Sequence, residues 1–474
     1  MSESPEFWNW LVLVGYALLL WALVPRRVDP EQFYGGHAAP GQPPGVWLVA
    51  SSAAISWLFA KSIDNAATLS GKFGPIGGIG YAIYYLSFPV AGLAIYLIRV
   101  RGGYDSLAGF LTARYGRVCT RLFLTAIFVR LMNEVWSNTK VCAQYFGDEG
   151  TTPYWLAVLA VTAFTVGYSL VGGLRSSLLT DGGQMVLAGL LLLGVLVGLV
   201  PGLLERGLPA ASVEQRSAGL TFCGLALVQV FSYPFHDPVL TDRGFITSPR
   251  RMLWAFLLAG LVSGTFILLF SCVGLYAQAS GVAGKPTVAV PAALGLPMML
   301  LFNGIMLTSA GSTLDSTFSS TARLAARDWS GRSAAATSGE VRRGRVAMVV
   351  AAGLGNLPLL SLYLGEQVGP AVIAATTISG TMVMGLAPII LLGFVRSAGP
   401  ASFHLAFWPG ILLGGMRVVE GAAGSRLFPN WVAIGSGPYA IDLGINLYGV
   451  LLCTTGYLTV AALAPADDGR SAPK

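Results

Sequence analysis

Apolar stretches separated by short polar ones run along nearly the whole chain, and windows long enough to cross a bilayer, about 20 residues, recur thirteen times. They cover roughly residues 8–24, 46–70, 75–98, 120–146, 153–172, 175–203, 219–240, 252–278, 290–322, 346–364, 369–395, 403–420 and 439–463. Several are longer than a bilayer needs, which predicts tilted or interrupted helices.

Unpaired backbone or charge is costly in hydrocarbon, so polar clusters at membrane depth point to a cavity or an ion path. The second span carries Ser51, Ser52, Ser56, Lys61, Asp64 and Asn65, and the seventh carries Pro234 and Pro238 around His236 and Asp237. Each proline removes a backbone donor, so the seventh helix is predicted to break near its middle. The carbonyls freed there can coordinate a cation or a solute. In the ninth span, ten of the fourteen side chains from Thr308 to Thr321 contain oxygen, and Ser309, Ser312, Thr313 and Ser316 share one helical face. Such a ladder suits Na⁺, which takes several oxygen ligands and little net charge; the alternative is hydroxyls bonded to their own helix or tying helices together. On the fourth span Arg130 and Glu134 stand four apart, placed either to neutralise each other or to face a solute.

Composition sharpens this picture. The 474 residues are 54% hydrophobic and 11% charged, against about 25% charged in water-soluble proteins, and mean hydropathy is +0.67. The longest non-membrane stretch, Ala322 to Arg345, leaves no room for a soluble catalytic domain. A net charge of +7 does not indicate nucleic acid, because the basic residues are dispersed between spans rather than clustered. Five scattered cysteines without a C-x-x-C pair indicate neither a disulfide framework nor a metal cluster. Met1 to Glu6 is acidic and polar, unlike a signal peptide's basic start, so Trp8 to Val24 is expected to be a retained helix. With the N-terminus outside, 20 of the 29 Lys and Arg fall in inner loops and 5 in outer loops, while Lys61, Arg130, Lys140 and Arg417 lie within spans. That asymmetry predicts a cytoplasmic C-terminus and a multi-pass protein of the plasma or inner membrane. The 60 glycines are read mainly as helix-packing residues.

Three segments carry a family resemblance. Gly172 to Gln184, G-G-L-R-S-S-L-L-T-D-G-G-Q, resembles the G-G-x-x-A-x-x-x-T-D-x-x-Q signature of the sodium:solute symporters. Ser312 to Asp328 looks like that family's Ser/Thr-rich helix ending in an acidic residue, and Asp237 to Arg243 is similar to its segment with a polar residue six positions before an arginine. The resemblance implies an all-α integral membrane protein of 13 transmembrane helices built on a LeuT-type 5+5 inverted repeat. An N-terminal extra helix and linker would occupy 1–43, the first repeat 44–203, an outer loop 204–217, the second repeat 218–396, and two further helices with a short cytoplasmic tail 397–474. The first helix of each repeat, containing Ser52 and Pro234 respectively, would be broken at the midplane.

Carried over by position, the resemblance implies a sodium ion held by the carbonyls of Ser52, Ile55 and Ser309 and the hydroxyls of Ser312 and Thr313. Some members hold a second cation, here at Asp181, Asp315 and Ser316. Asp315 departs from the small or hydroxyl residue usual at its position; two carboxylates sharing a site disfavour joint ionisation, so a second cation or a proton would compensate. The candidate solute contacts are Ser56, Trp57, Lys61, Asp64, Glu134, Asn138, Tyr233, His236 and Asp237. Asp237 stands where sugar carriers have an amide, and Lys61, Asp64 and Glu134 are unusual charges for a sugar site. An amino acid or carboxylate is therefore expected, with a structural Lys61–Asp64 pair as the alternative reading of those charges.

The expected function is uptake of a small polar solute by alternating access, with Na⁺ as coupling ion, solute and membrane lipid as partners, no nucleic acid and no enzymatic activity. The alternatives are a proton-coupled carrier of the same fold and a membrane enzyme using His236 as general base beside Asp237.

Overall fold

The computed structural model describes residues 5–39, 41–331 and 335–464; Arg332, Arg470, Lys474 and the expected C-terminal tail lie outside them. Helices dominate because a chain this apolar must satisfy its backbone internally, and the described residues contain a lone Ala39–Gln42 bridge in place of any sheet. Among them six helices are long and apolar enough to cross a membrane, or seven when the bent pair Val46–Trp57 and Ala60–Phe73 counts as one span.

Seven helices position the site: α1 (Val46–Trp57), α2 (Ala60–Phe73), α3 (Leu107–Ala143), α4 (Thr152–Arg206), α5 (Val213–Gln229), α6 (Pro238–Arg243) and α7 (Leu296–Arg323). At 1.5 Å per residue, α4 would be about 80 Å long if straight, far more than one bilayer crossing. It turns instead at Gly173, where φ is +53° and a Cβ would collide with the Phe33 carbonyl. The two expected spans 153–172 and 175–203 meet at this turn.

Other expected spans divide. Residues 46–70 form α1 and α2, bent by 61°; residues 219–240 form α5, a 3-10 turn at Tyr233–His236, and α6. Residues 290–322 split at Gly295 (φ +89°) into Pro286–Leu294 and α7. Residues 369–395 are not one helix but Gly365–Ala375, a run of turns, and Leu386–Leu391. The interruption falls on Thr376, Thr377, Ile378, Ser379 and Gly380, β-branched residues and a Ser-Gly pair that favour helix weakly. Asn133 and Asn446 donate there to the hydroxyls of Thr377 and Thr381.

α7 is central, lying against α4, α3, α1 and the helix Pro5–Leu23. Gly311 makes the last approach possible, since a Cβ there would overlap the Tyr16 hydroxyl. Asn9 fastens the same helix, accepting from Asn303 at 3.0 Å and donating to the Tyr145 carbonyl at 2.6 Å.

Candidate ion and solute site

A helix interrupted at membrane depth frees carbonyls that need other donors. No Pro or Gly stands at Leu58 or Phe59; neighbouring helices hold the α1–α2 break. The Ala60 N–H, which a continuous helix would direct to Ser56, donates to Asn138 Oδ1 at 3.0 Å. The freed carbonyls of Ser56, Trp57 and Leu58 accept from Thr313 Oγ1 (3.4 Å), Tyr85 OH (3.2 Å) and Ser309 Oγ respectively. The Ile55 carbonyl, one residue before Ser56, accepts the Leu58 N–H at 3.2 Å. Each donating hydroxyl keeps lone pairs available to a cation. The second break is local in origin: Pro238 starts α6 at its first turn, and Asp237 caps it, accepting from the N–H groups of Val239 and Leu240.

Two polar helix faces meet behind the first break. On α4, Ser177, Thr180, Asp181 and Gln184 recur at i, i+3, i+4 and i+7; on α7, Ser309, Ser312, Thr313 and Ser316 do the same. Asp181 is fully buried and accepts from Ser52 (2.5 Å), Ser56 (3.2 Å), Ser177 (3.2 Å) and Ser312. Arg243 sits in the same cluster. Its Nη2 lies 2.6 Å from Ser316 Oγ, 3.1 Å from Ser56 Oγ, 3.1 Å from Asp181 Oδ2 and 3.3 Å from Ser177 Oγ, and its Nε donates to Ser52 at 2.8 Å. The sequence reading counted Arg243 among inner-loop charges. That is corrected here: it is completely buried, because α6 carries it inward to a carboxylate. Asp315, also fully buried, accepts from Ser177 (2.7 Å), Tyr168 (2.7 Å), Thr180 (2.9 Å) and Ser316 (3.2 Å), with no basic partner among the described residues. Ser177, Thr180 and Tyr168 escaped the sequence reading, although the α4 periodicity around Asp181 was available to find the first two.

The expected solute residues separate into groups. Lys61 Nζ lies 2.7 Å from Glu134 Oε1; Glu134 also pairs with Arg130, whose Nη2 is 3.4 Å from Asp237 Oδ2. This chain of two bases and two acids sums to zero. Asn138 donates to Glu134 Oε2 at 2.9 Å, and Trp57 Nε1 donates to Asp237 at 2.9 Å. Asp64 faces the other way, 3.0 Å from Lys285 and accepting from Thr287. A Lys61–Asp64 pair is therefore not formed, since each has a nearer partner on a different element. Ser56 belongs to the cluster around Asp181 and Arg243. His236 Nδ1 is against the Tyr233 carbonyl and its Nε2 is buried without a partner among the described residues; it has no hydrogen bond with Asp237, so the proposed base pair is absent.

Trp57 and Tyr233 line a cavity of about 300 Å³ with Phe59, Tyr81, Tyr84 and Tyr85, to which Ser62, Asn65, Thr68 and Gln229 add neutral polar groups. No charged side chain lines it among the described residues. Trp57 and Tyr233 were expected here; Tyr81, Tyr84 and Tyr85 were missed, although they share a helical face. Nor does any group of three His, Cys, Asp or Glu side chains converge as a metal site among the described residues.

No protein-family model matches the chain. Over 252 residues it is 28% identical to the sodium/myo-inositol cotransporter 2 of Bos taurus, covering 49% of this chain and 35% of that protein. The chain thus matches about a third of the length of such curated relatives. A solved structure of a Na⁺-coupled sialic acid symporter, in its substrate-bound outward-open state, matches with a TM-score of 0.69 at 15% identity, covering 97% of this chain and 98% of the other. A nucleobase-cation-symport-1 family transporter matches with a TM-score of 0.55 at 14% identity, covering 93% and 96%. The fold is that of an all-helical, multi-pass membrane transporter of LeuT type, and the proteins it resembles are transporters, not enzymes. Among curated proteins, the similarity is to the sodium/myo-inositol cotransporters 2 of Bos taurus and Sus scrofa, at 28% and 27% identity.

Proposed function

We propose that this chain is a sodium-coupled symporter that imports a small polar solute by alternating access, with 13 spans, the inverted repeats 44–203 and 218–396, and the N-terminus outside. The observation that carries it is the α1–α2 break, whose Leu58 and Ser56 carbonyls, released from the helix, accept from the Ser309 and Thr313 hydroxyls inside a buried oxygen cluster. The carbonyls of Ser52, Ile55 and Ser309 and the hydroxyls of Ser312 and Thr313 would hold the ion. Neutral oxygens of this kind fit a monovalent cation, and the ion's entry would contribute about 2.3 kcal/mol per charge at 100 mV.

The charge count favours one coupling ion. When both are ionised, Asp181 and Asp315 would set two negative charges against the one positive charge of Arg243, and a single Na⁺ would restore neutrality. A proton on Asp315 would do the same, which is the specific support for the proton-coupled alternative.

The cavity favours a neutral solute. The charges that suggested an amino acid or carboxylate are engaged with one another, while the cavity offers aromatic faces for a ring and Asn65, Gln229, Ser62 and Thr68 for hydroxyls. Lys61, with 22% of its side chain exposed, is the group that supports the charged-solute reading. Uptake into proteoliposomes of labelled polyols and amino acids, under Na⁺, K⁺ or a pH gradient, tests both choices. Ser312→Ala with Thr313→Ala is expected to abolish sodium-stimulated uptake; retained sodium dependence overturns the ion-site assignment. Counterflow of labelled solute separates a carrier from a channel.

A further inference from the structure

We propose that a cavity of about 900 Å³, bounded by the segment after the helix Pro5–Leu23, the turn at Gly173 and the helix Ser338–Gly355, is a binding site for anionic phospholipid. Four arginines from two separate segments converge on it, Arg26, Arg27, Arg342 and Arg345, with no acidic residue in its lining. Arg345 is held in place, donating to the carbonyls of Leu170 (2.7 Å) and Val171 (3.4 Å) and lying over the Phe33 ring. Arg26, Arg27 and Arg342 are exposed and have no hydrogen bond or ion pair among the described residues. Arg99 and Arg323, also near helix ends, are by contrast engaged, with the Gly244 carbonyl and with Asp242 and Asp328 respectively.

The second half of the argument is apolar. Arg342, Arg345, Val346, Val349 and Val350 recur at i, i+3, i+4, i+7 and i+8, so they share one face of their helix. The three valines are 58%, 53% and 49% exposed. That face changes along its axis from guanidinium to branched hydrocarbon, the profile of a phospholipid lying against a helix. Arginine's planar fork matches phosphate oxygens in two-bond contacts, and basic cavities between membrane helices attract anionic headgroups. A free phosphate would use the arginines and leave the valine stripe unexplained, so the occupant is a lipid.

The test is native mass spectrometry of the purified, detergent-solubilised full chain titrated with phosphatidylglycerol, cardiolipin or phosphatidylcholine. Each arginine removed is expected to weaken anionic-lipid binding about fivefold, from the usual worth of a basic residue at a charged membrane surface. The variant carries Arg26→Gln, Arg27→Gln and Arg342→Gln, all solvent-exposed. Arg343→Gln, on the same helix but outside the cavity lining, is the control and is expected to bind as the wild type does. Equal binding of phosphatidylcholine, undiminished binding by the triple variant, or displacement of the lipid by an equal concentration of inorganic phosphate overturns the proposal. If the triple variant does not fold, Arg342→Gln alone gives the same reading. Because neither solute nor sodium enters this measurement, its failure is distinct from failure of the transporter reading.

Discussion

Arg243 and Asp181 are both wholly buried and share the hydroxyls of Ser52, Ser56 and Ser177, so neither charge can be removed without stranding the other. Arg243→Met or Asp181→Ala alone is expected to cost about 3–5 kcal/mol, as for other buried pairs that lose one member. Thermal denaturation in detergent measures it, and the double variant should recover part of the loss. Asp315→Asn keeps an acceptor oxygen but removes a charge. One charge at short range, at an effective dielectric near 20, is worth a few kcal/mol, so the half-saturating sodium concentration for uptake should rise about tenfold or more. An unchanged sodium titration would take Asp315 out of the ion balance. At this scale the sequence was partly readable: the hydroxyl face of α7 and the presence of Asp181 and Asp315 were visible, but a guanidinium among them was not. Nothing in D-P-V-L-T-D-R tells whether its final residue turns to solvent or into the protein.

Helices break here for three different physical reasons. The interruption before α6 is written in Pro234 and Pro238, which cannot donate to the preceding turn, and Pro238 sits where its missing N–H has no helical partner to lose. Pro238→Ala is accordingly expected to change stability by no more than about 1 kcal/mol. The interruption between α1 and α2 has no such residue and depends on donors and acceptors from other helices. Asn138→Ala would leave the buried Ala60 N–H unpaired and remove a donor from Glu134; a loss of about 1–3 kcal/mol is expected, again read by thermal denaturation. Equal losses from Pro238→Ala and Asn138→Ala would contradict this division. The run from Thr376 to Thr381 is a third case, where weak helix formers coincide with amide side chains that donate to the hydroxyls of Thr377 and Thr381.

For the whole molecule, the proposed orientation puts the aromatic cavity toward the outside and the arginine-rich end toward the cytoplasm. Thr68 is exposed in its lining and Ser330 is exposed at the arginine-rich end. With the native cysteines replaced, Thr68→Cys in intact cells should react with a membrane-impermeant maleimide, whereas Ser330→Cys should react once the membrane is opened. The reverse pattern would invert the proposed orientation. By itself, the sequence determined that the chain lies in the membrane, because hydropathy acts on every residue independently of its neighbours in space. It also determined the α7 ladder and the proline-marked break, because helical periodicity and a missing N–H are local properties. Only the tertiary structure decided that Lys61 meets Glu134 instead of Asp64, that Arg243 turns inward, and that a break forms at Leu58 without a breaker. Those outcomes follow from which side chains other helices bring within hydrogen-bonding distance, and spacing along one helix carries no information about that.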